Sequence, residues 1–390
     1  MSVVLALDAN QRSALAVVRS LGRLGSHTLL AADSTTSALA GSSKYCAQYL
    51  KCPCSATQPL AFLEWVKQYV SENGVDYIFP TTEITSQLLL MNPDVLGPSI
   101  MPFANYETVM QLATKDALVK TARSAGLAVP ASDFYSNAND VDVSTISTFP
   151  VVIKPSLSRI WLGDRWLNTT VQIAKNSGQL ASFLSQSEWL QHHPFMLQEF
   201  IPGYGAGLFA LYNKGEAVTF FSHKRVREKP PEGGVSVLSE SAPLNPALLD
   251  AAKTLLSSVA WHGVAMVEFR VAEDGTPYLM EVNTRFWGSL QLAIDAGVDF
   301  PALLFKITNG EAVTPVEDYR IGVRLRWLMG DFDSLYLVLK GAQFSWQQKL
   351  KRLISFLMPL PLNTKHEVNR FDDLKPALTE LKHYFRNLRQ

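Results

Sequence analysis

Cysteine is scarce. Three thiols, Cys46, Cys52 and Cys54, in 390 residues exclude a disulfide framework. Cys52-Pro53-Cys54 has a metal-like spacing, but Cys46 is the only further cysteine, so ordinary reduced thiols are the plainer reading than zinc. Net charge is missing as well: 35 Lys+Arg against 35 Asp+Glu leave no broad positive field for a generic nucleic-acid binder. Long apolar runs are absent. The longest stretches without a charged residue have 14 positions, 200–213 and 254–267, and neither is solidly apolar; a membrane span needs about 18–20. The start, Met1 to Asp8, has no basic residue ahead of its apolar stretch, so it reads as a strand and not as a signal peptide. The chain is expected in the cytoplasm. Several catalytic signatures are also lacking. There is no Gly-Lys dipeptide and hence no P-loop, no His-Glu-x-x-His, and no Gly-x-Ser-x-Gly.

What is present is a chain with 47% hydrophobic and 18% charged residues, too apolar for disorder and long enough for two or three cores. Over the first 110 residues strand and helix signals alternate. Val3–Leu7, His27–Ala32 and Val75–Pro80 read as buried strands, and 11–24 and 59–72 as helices, which together predict a small open parallel sheet. The turn after the first strand, Leu7-Asp8-Ala9-Asn10-Gln11-Arg12, contains no glycine. A pyrophosphate could not approach its backbone as in a Gly-x-Gly-x-x-Gly loop, which disfavours a nicotinamide dehydrogenase. A helix is predicted over 114–125, stopped by Gly126, and residues 149–290 then read as α+β with antiparallel hairpins. The charge is unevenly spread: residues 320–390 carry 13 Lys/Arg and 6 Asp/Glu, and residues 1–319 the compensating acidic excess. That last segment reads as helical and basic.

The most informative stretch is Val264–Val271 followed by Asp274-Gly275 and then Pro277–Asn283. Asp-Gly between two apolar runs is a strong hairpin signal. A turn centred on those two residues sets Glu268 opposite Glu281, and alternation puts Asn283 on the same face. Directly opposed Cβ atoms lie about 4.5–5.5 Å apart. Two carboxylates so placed repel unless a positive group sits between them. Oxygen-only ligands suit a hard cation, Mg²⁺ or Mn²⁺. The plainer alternative is that one glutamate points to solvent.

Two lysines stand out by their positions. Lys154 ends the apolar run Val151–Lys154, and Lys115 sits in the first turn of a helix, where the dipole disfavours a cation. Each is an anion ligand or a plain surface residue. Gln198-Glu199-Phe200-Ile201-Pro202-Gly203 closes another strand with a tight turn whose backbone could hydrogen-bond a planar base.

In this order and spacing Lys115, Lys154, Gln198-Glu199-Phe200-Ile201, Glu268 and Glu281-x-Asn283-x-Arg285 resemble the ATP-grasp superfamily over roughly residues 110–290. The nearer likeness is to carbamoyl-phosphate-synthetase-like ATP-dependent carboxylate–amine ligases, through His223–Gly234 and Arg285-Phe286-Trp287-Gly288-Ser289. The resemblance implies a Rossmann-like pre-ATP-grasp domain over 1–112, including Pro80-Thr81-Thr82-Glu83. It implies an ATP-grasp domain over 113–319, with a smaller part at 113–195 and a larger at 196–319 bearing the metal hairpin. Residues 320–390 form the basic helical extension. By the same resemblance Lys115 and Lys154 contact ATP phosphates, and Gln198 to Ile201 frame adenine, Glu199 and Ile201 largely through backbone atoms. Glu268, Glu281 and Asn283 hold Mg²⁺ (or Mn²⁺), and Arg285, with Lys154 and Arg225, serves the transferred phosphoryl and the acyl phosphate. Glu83, His223, Arg225, Arg227, Trp287, Gly288 and Ser289 fall on the substrate side. Two departures from the family pattern are a glycine-poor segment Ser156–Gly163 and Thr284 where proline is common.

The activity implied is ATP-dependent joining of a small-molecule carboxylate to an amine through an acyl phosphate. A non-catalytic ATP sensor, or a membrane-associated regulator on the same fold, is the alternative. Strand alternation puts His223, Arg225 and Arg227 on one face, to bind an acceptor carboxylate or phosphates; a solvated basic strand is the plainer reading. Glu228–Gly234 reads as a lid or an exposed loop. The tail around Leu353–Leu360, with Arg320, Arg324, Arg326, Lys349, Lys351, Arg352, Lys382, Arg386 and Arg389, reads as a helical cap on the acidic body or as a peripheral membrane contact. A homodimer is compatible with all of this; a nucleic-acid partner is not expected.

Overall fold

The computed structural model describes residues 2–25, 27–231, 233–358 and 361–388. Met1, Glu232, Pro359, Leu360 and Arg389, which enter the readings above, lie outside the described residues. The first sheet is parallel throughout, in the order Gln48–Lys51, His27–Asp33, Ser2–Ala6, Tyr77–Phe79. Gln48–Lys51 is a strand that sequence patterning does not pick out. The chain leaves Ser2–Ala6 toward one side and returns on the other at Tyr77–Phe79, so the carboxyl ends of these two strands flank a switch point. Asp8, at φ 58, closes the glycine-free turn there. Its carboxylate accepts from the Thr81 and Thr82 amides, both 2.9 Å, and from Thr85 Oγ1 at 2.6 Å. These bonds tie the turn that leads into the helix Arg12–Leu24 to the segment after Tyr77–Phe79.

The second sheet is antiparallel, in the order Ser132–Tyr135, Phe195–Glu199, Val151–Pro155, Gln172–Ala174. Period-two alternation sends Val151, Ile153, Phe195 and Leu197 into a core with Leu180, Leu184 and Leu190 of the covering helices. Val152, Lys154, Met196 and Gln198 therefore share the opposite face, Lys154 paired with Met196 and Val152 with Gln198.

The third sheet runs Pro277–Asn283, Gly263–Val271, Tyr204–Asn213, Glu216–Lys229, Val235–Ala242, Arg324–Arg326, Thr364–His366. One face packs Leu208, Ala210, Ala265 and Val267 onto the helix Pro246–Ser258 through Leu248, Ala252 and Leu255. The other face packs Phe209, Phe221 and Met266 with Phe286 and Trp287, and the same cluster contains Val4, Leu15 and Phe79 of the first sheet and its helix. One continuous core thus joins the first sheet to the third, and the surface above it is where the two meet.

The last seventy residues differ from the all-helical reading. They contain the helices Leu328–Lys340, Trp346–Leu357 and Lys375–Asn387, but Arg324–Arg326 and Thr364–His366 extend the third sheet. Strands of three residues leave no periodicity to read; Arg324–Arg326 pairs with Val235–Ala242, over eighty positions upstream, and Thr364–His366 pairs in parallel with Arg324–Arg326. The basic character is also partly internal. Asp331, fully buried, takes Arg326 at 2.7 Å, Arg352 at 2.6 Å and Arg227 at 3.1 Å.

Candidate active site

The carboxylate hairpin forms between Gly263–Val271 and Pro277–Asn283, with Glu268 directly opposite Glu281 and Met266 opposite Asn283. The route to that pairing differs from the two-residue turn predicted. Ala272 and Thr276 pair across a three-residue loop, with Gly275 at φ 88. The left-handed conformation suits glycine there. The register near the loop is thereby shifted by one, and a bulge between Glu268 and Phe269, at the level of Met280, shifts it back. Two irregularities cancel, so the two glutamates face each other as alternation requires.

Asn283 bridges the pair. Its Nδ2 donates to Glu268 Oε1 at 3.1 Å and to Glu281 Oε1 at 3.3 Å, while its Oδ1 accepts from Arg285 Nη2 at 3.1 Å. The repulsion expected between the carboxylates is met on both flanks by cations. Lys115 Nζ lies 2.9 Å from Glu281 Oε2, and Arg225 Nη2 lies 3.2 Å from Glu268 Oε2. The Lys115 ion pair holds the Glu281 carboxyl down at about 2. Glu268 is pushed up, first by burial and then by the charge of Glu281. Lys115 is the first residue of the helix Lys115–Ser124. The unfavourable dipole position noted from sequence is offset in the structure by Glu281 itself.

Lys154 is buried on the cleft face of the second sheet. Burial, followed by the charge of Lys115, lowers its ammonium to about 8, while Glu281 and Glu268 pull it back up. Gln198 shares its face; Gln198 Nε2 donates to Ser132 Oγ at 3.0 Å, and its Oε1 is buried without a partner. The Glu199 side chain turns to the other side, its Oε2 accepting from the Ala131 amide at 3.3 Å, so only its backbone faces the cleft. Phe200 is half-buried. The carbonyl of Ile201 is taken by Arg270 Nε at 3.1 Å.

On the other side of the glutamates lies a cavity of about 350 Å³, walled by Arg12, His223, Arg225, Ser236, Arg285 and Ser289 among others. Trp287 borders it but is packed on Phe209, ring centroids 4.4 Å apart. His223 stacks on Phe209 and faces Ser289 Oγ at 2.9 Å; burial, then the charge of Arg225, lowers its imidazole to about 3, so it is neutral. Glu83 opens the helix Glu83–Met91 and reaches the smaller recess beside Lys115, Glu281 and Arg285.

Arg227 is not brought to this cluster. The strand bulges on both sides of it: Arg225 pairs with Ser239, Arg227 with Leu238. Adjacent residues of one strand point to opposite faces, so the bulge turns Arg227 away from Arg225 and onto Asp331. The Glu228–Gly234 stretch is tied down at its start, Lys229 to Asp333 and Glu228 through its carbonyl to Ser334 Oγ at 2.8 Å.

Arg12 is the residue that sequence reasoning missed. Its guanidinium is ion-paired with Glu367 and lies 3.9 Å over the Trp327 ring, both from the C-terminal segment. A Cβ on Gly288 would lie 3.2 Å from Arg12 Nη2, so Gly288 makes room for it. A signal existed: Arg12 is the first residue of its helix, the same dipole-disfavoured position that singles out Lys115.

The residue types fit a hard divalent cation: two carboxylates and an amide converge closely enough for one Nδ2 to reach both acids. To hold it, Asn283 would turn its Oδ1 from Arg285 toward the glutamates, and the cation would replace Lys115 and Arg225 as their counter-charge.

A family model described as ATP-grasp in the biosynthetic pathway with Ter operon matches residues 191–330. The D-alanine–D-alanine ligase of Anaeromyxobacter dehalogenans strain 2CP-C is 39% identical over 72 residues, 17% of this chain and 23% of that one, so the chain spans under a quarter of that relative's length. The L-amino acid ligase from Bacillus licheniformis superposes with a TM-score of 0.60 at 17% identity, over 78% of this chain and 73% of that one. The biotin carboxylase domain of Hydrogenobacter thermophilus 2-oxoglutarate carboxylase, solved with MgADP, ADP and bicarbonate, does so with 0.63 at 16% identity, over 83% and 73%. The match over residues 191–330 and these superpositions give the chain an ATP-grasp fold. The ATP-grasp fold accounts for the second and third sheets closing on one cleft, with Lys115 and Lys154 on one side and the glutamate hairpin on the other. Among the described residues no helix is long and apolar enough to cross a membrane.

Proposed function

We propose that this ATP-grasp protein is an ATP-dependent ligase that joins a carboxylate to an amine through an acyl phosphate. The observation that carries the reading is the convergence of Lys115, Lys154, Glu268, Glu281, Asn283 and Arg285 on one cleft between two sheets. On this reading residues 1–112 are the domain preceding the ATP-grasp fold, and 113–319 bind the nucleotide. Adenine lies against the backbone of Glu199 to Ile201, with Gln198 and its buried, unpartnered Oε1 on the cleft face. Glu268, Glu281 and Asn283 hold Mg²⁺, which when bound neutralises the phosphates and orients them.

A carboxylate reacts with an amine only once an oxygen becomes a leaving group. Here the substrate carboxylate oxygen attacks the γ-phosphorus of ATP and ADP departs; the amine nitrogen then attacks the acyl carbon, inorganic phosphate leaves, and the nitrogen loses a proton. Phosphoryl transfer asks for positioning and charge neutralisation more than for a protein nucleophile. Lys115, freed from Glu281 as phosphate arrives, Lys154 and Arg285 supply it. Arg225 and Arg12 bind the anionic groups of the substrates. Arg12 is pre-set by Glu367 and Trp327, which lowers the cost of ordering it on binding.

Water must be kept from the acyl phosphate. The hairpin of Arg159–Trp161 and Trp166–Asn168, which follows Lys154, supports this. Trp161 and Trp166 lie tilted against each other, ring centroids 5.0 Å apart, and pack on the first sheet's core, with Trp166 Nε1 donating to the Ser55 carbonyl at 3.2 Å. The test is an ADP-release screen over pairs of amino acids and small acids, with Glu281→Gln as the blank. Release that depends on a carboxylate–amine pair and on Mg²⁺, and that the variant loses by about a thousandfold, supports the reading; equal release by both proteins refutes it.

A further inference from the structure

Uncovered apolar side chains are concentrated at the C-terminal end. Of the 26 large apolar side chains exposed among the described residues, 16 lie between Phe332 and Leu388. That concentration singles out a face built by three helices. Trp346–Leu357 buries none of its residues. Trp346, Leu350, Ile354 and Leu357, at i, i+4, i+8 and i+11, form one outward stripe, 46–70% exposed. Leu374, Leu378, Leu381, Phe385 and Leu388 form a second along Lys375–Asn387. The two helices meet at Phe332 of Leu328–Lys340, whose ring lies 6.3 Å from Phe356 and 6.3 Å from Tyr384.

The charges on this segment sort themselves. Its six acids are all engaged within the chain: Asp331 by three arginines, Asp333 by Lys229, Glu367 by Arg12, Asp372 by Arg23, Asp373 by Arg19, and Glu380 by Trp327 Nε1. Lys349, Lys351, Lys375, Lys382 and Arg386 have no acidic partner among the described residues. Lys349 and Lys351 stand on either side of the Leu350 stripe, about 60° from its edges at 3.6 residues per turn, where their stems can lie along apolar surface with the ammonium outward. Trp346, Leu350 and Ile354 of the stripe line an open groove of about 560 Å³ together with Met358, Arg324 and Lys351.

We propose that this face docks the protein on an anionic phospholipid surface, the apolar stripes entering the interface and the unpartnered cations meeting the headgroups. A second copy is the poorer occupant. A two-fold pairing of the face would set Lys375, Lys382 and Arg386 against other cations, with every acid of the segment already paired within the chain.

The experiment is co-sedimentation of the full chain with vesicles of phosphatidylcholine alone and with added phosphatidylglycerol. Binding is expected only to the anionic vesicles and is expected to weaken with salt. Leu350→Ser with Ile354→Ser should lower partition at least about tenfold, and Lys349→Glu with Lys351→Glu about twentyfold or more, about fivefold per lysine. Leu350, Lys351 and Ile354 are exposed and Lys349 is half-buried, so thermal unfolding of both variants, measured beside the parent, separates lost docking from lost folding. No preference for anionic vesicles, or partition untouched by either pair, overturns the proposal. So does a dimer in light scattering that Leu350→Ser with Ile354→Ser dissociates, which would give the face to a second copy.

Discussion

Lys154 ties nucleotide affinity to pH. With its ammonium lowered to about 8 by burial and by Lys115, against the pull of Glu281 and Glu268, it is about 90% protonated at pH 7 and about 10% at pH 9. Phosphate oxygens bind the ammonium and not the amine. Anionic oxygens beside Lys154 offset its burial and return its pKa toward the ordinary 10.5. Binding then draws in a proton. The affinity for MgADP or a non-hydrolysable ATP analogue is expected to fall about tenfold between pH 7 and pH 9, about 1.4 kcal/mol. At pH 8.5 calorimetry in buffers of different ionisation enthalpy should record uptake of about three-quarters of a proton. Lys154→Met should bind more weakly at pH 7 and lose both the slope and the uptake. Equal affinity of the parent at the two pH values, or the same slope in Lys154→Met, would refute the reasoning. The empty protein responds with the opposite sense. Its Lys154 pKa lies below the unfolded value, so the unfolded chain holds more protons between about 8 and 10.5. The burden of the buried charge, of order 3 kcal/mol below that window, is relieved as pH rises through it.

Gly288→Ala places a methyl group against Arg12, whose guanidinium is held by Glu367 and Trp327 and has little room to yield. In the ADP-release assay KM for the anionic substrate should rise several-fold with kcat within about twofold, because only positioning is disturbed; unchanged KM removes Arg12 from the substrate side. Asp331→Asn strips the carboxylate from three largely buried guanidiniums. Denaturant unfolding should show a loss of about 3–5 kcal/mol, and a loss under about 1 kcal/mol would mean that the arginines find solvent.

Part of the site was legible before any coordinates. Glu268, Glu281 and Asn283 were readable because side chains on a hairpin repeat every second residue and Asp-Gly announces the reversal. The inferred turn was one residue short, and only the bulge beside Glu268 rescued the pairing. Arg227 failed for the same local reason, since a bulge one residue earlier turned it to the opposite face. Lys115 and Lys154 were visible as cations in places that disfavour a cation. Arg12 carried the same mark and was passed over, because its neighbours Gly288, Trp327 and Glu367 lie hundreds of positions away.

What the amino-acid order determines alone is what short-range physics writes into it: periodicity, turns, misplaced charges, and the order of the motif residues along the chain. Tertiary structure decided which of those residues meet. It joined the first and third sheets in one core, gave two strands of the tail to the third sheet, and spent Arg326, Arg352 and Arg227 on Asp331. Such pairings depend on desolvation and on contacts between distant segments. Neither leaves a period in the sequence, so a basic residue bound for a buried acid reads the same as one bound for solvent.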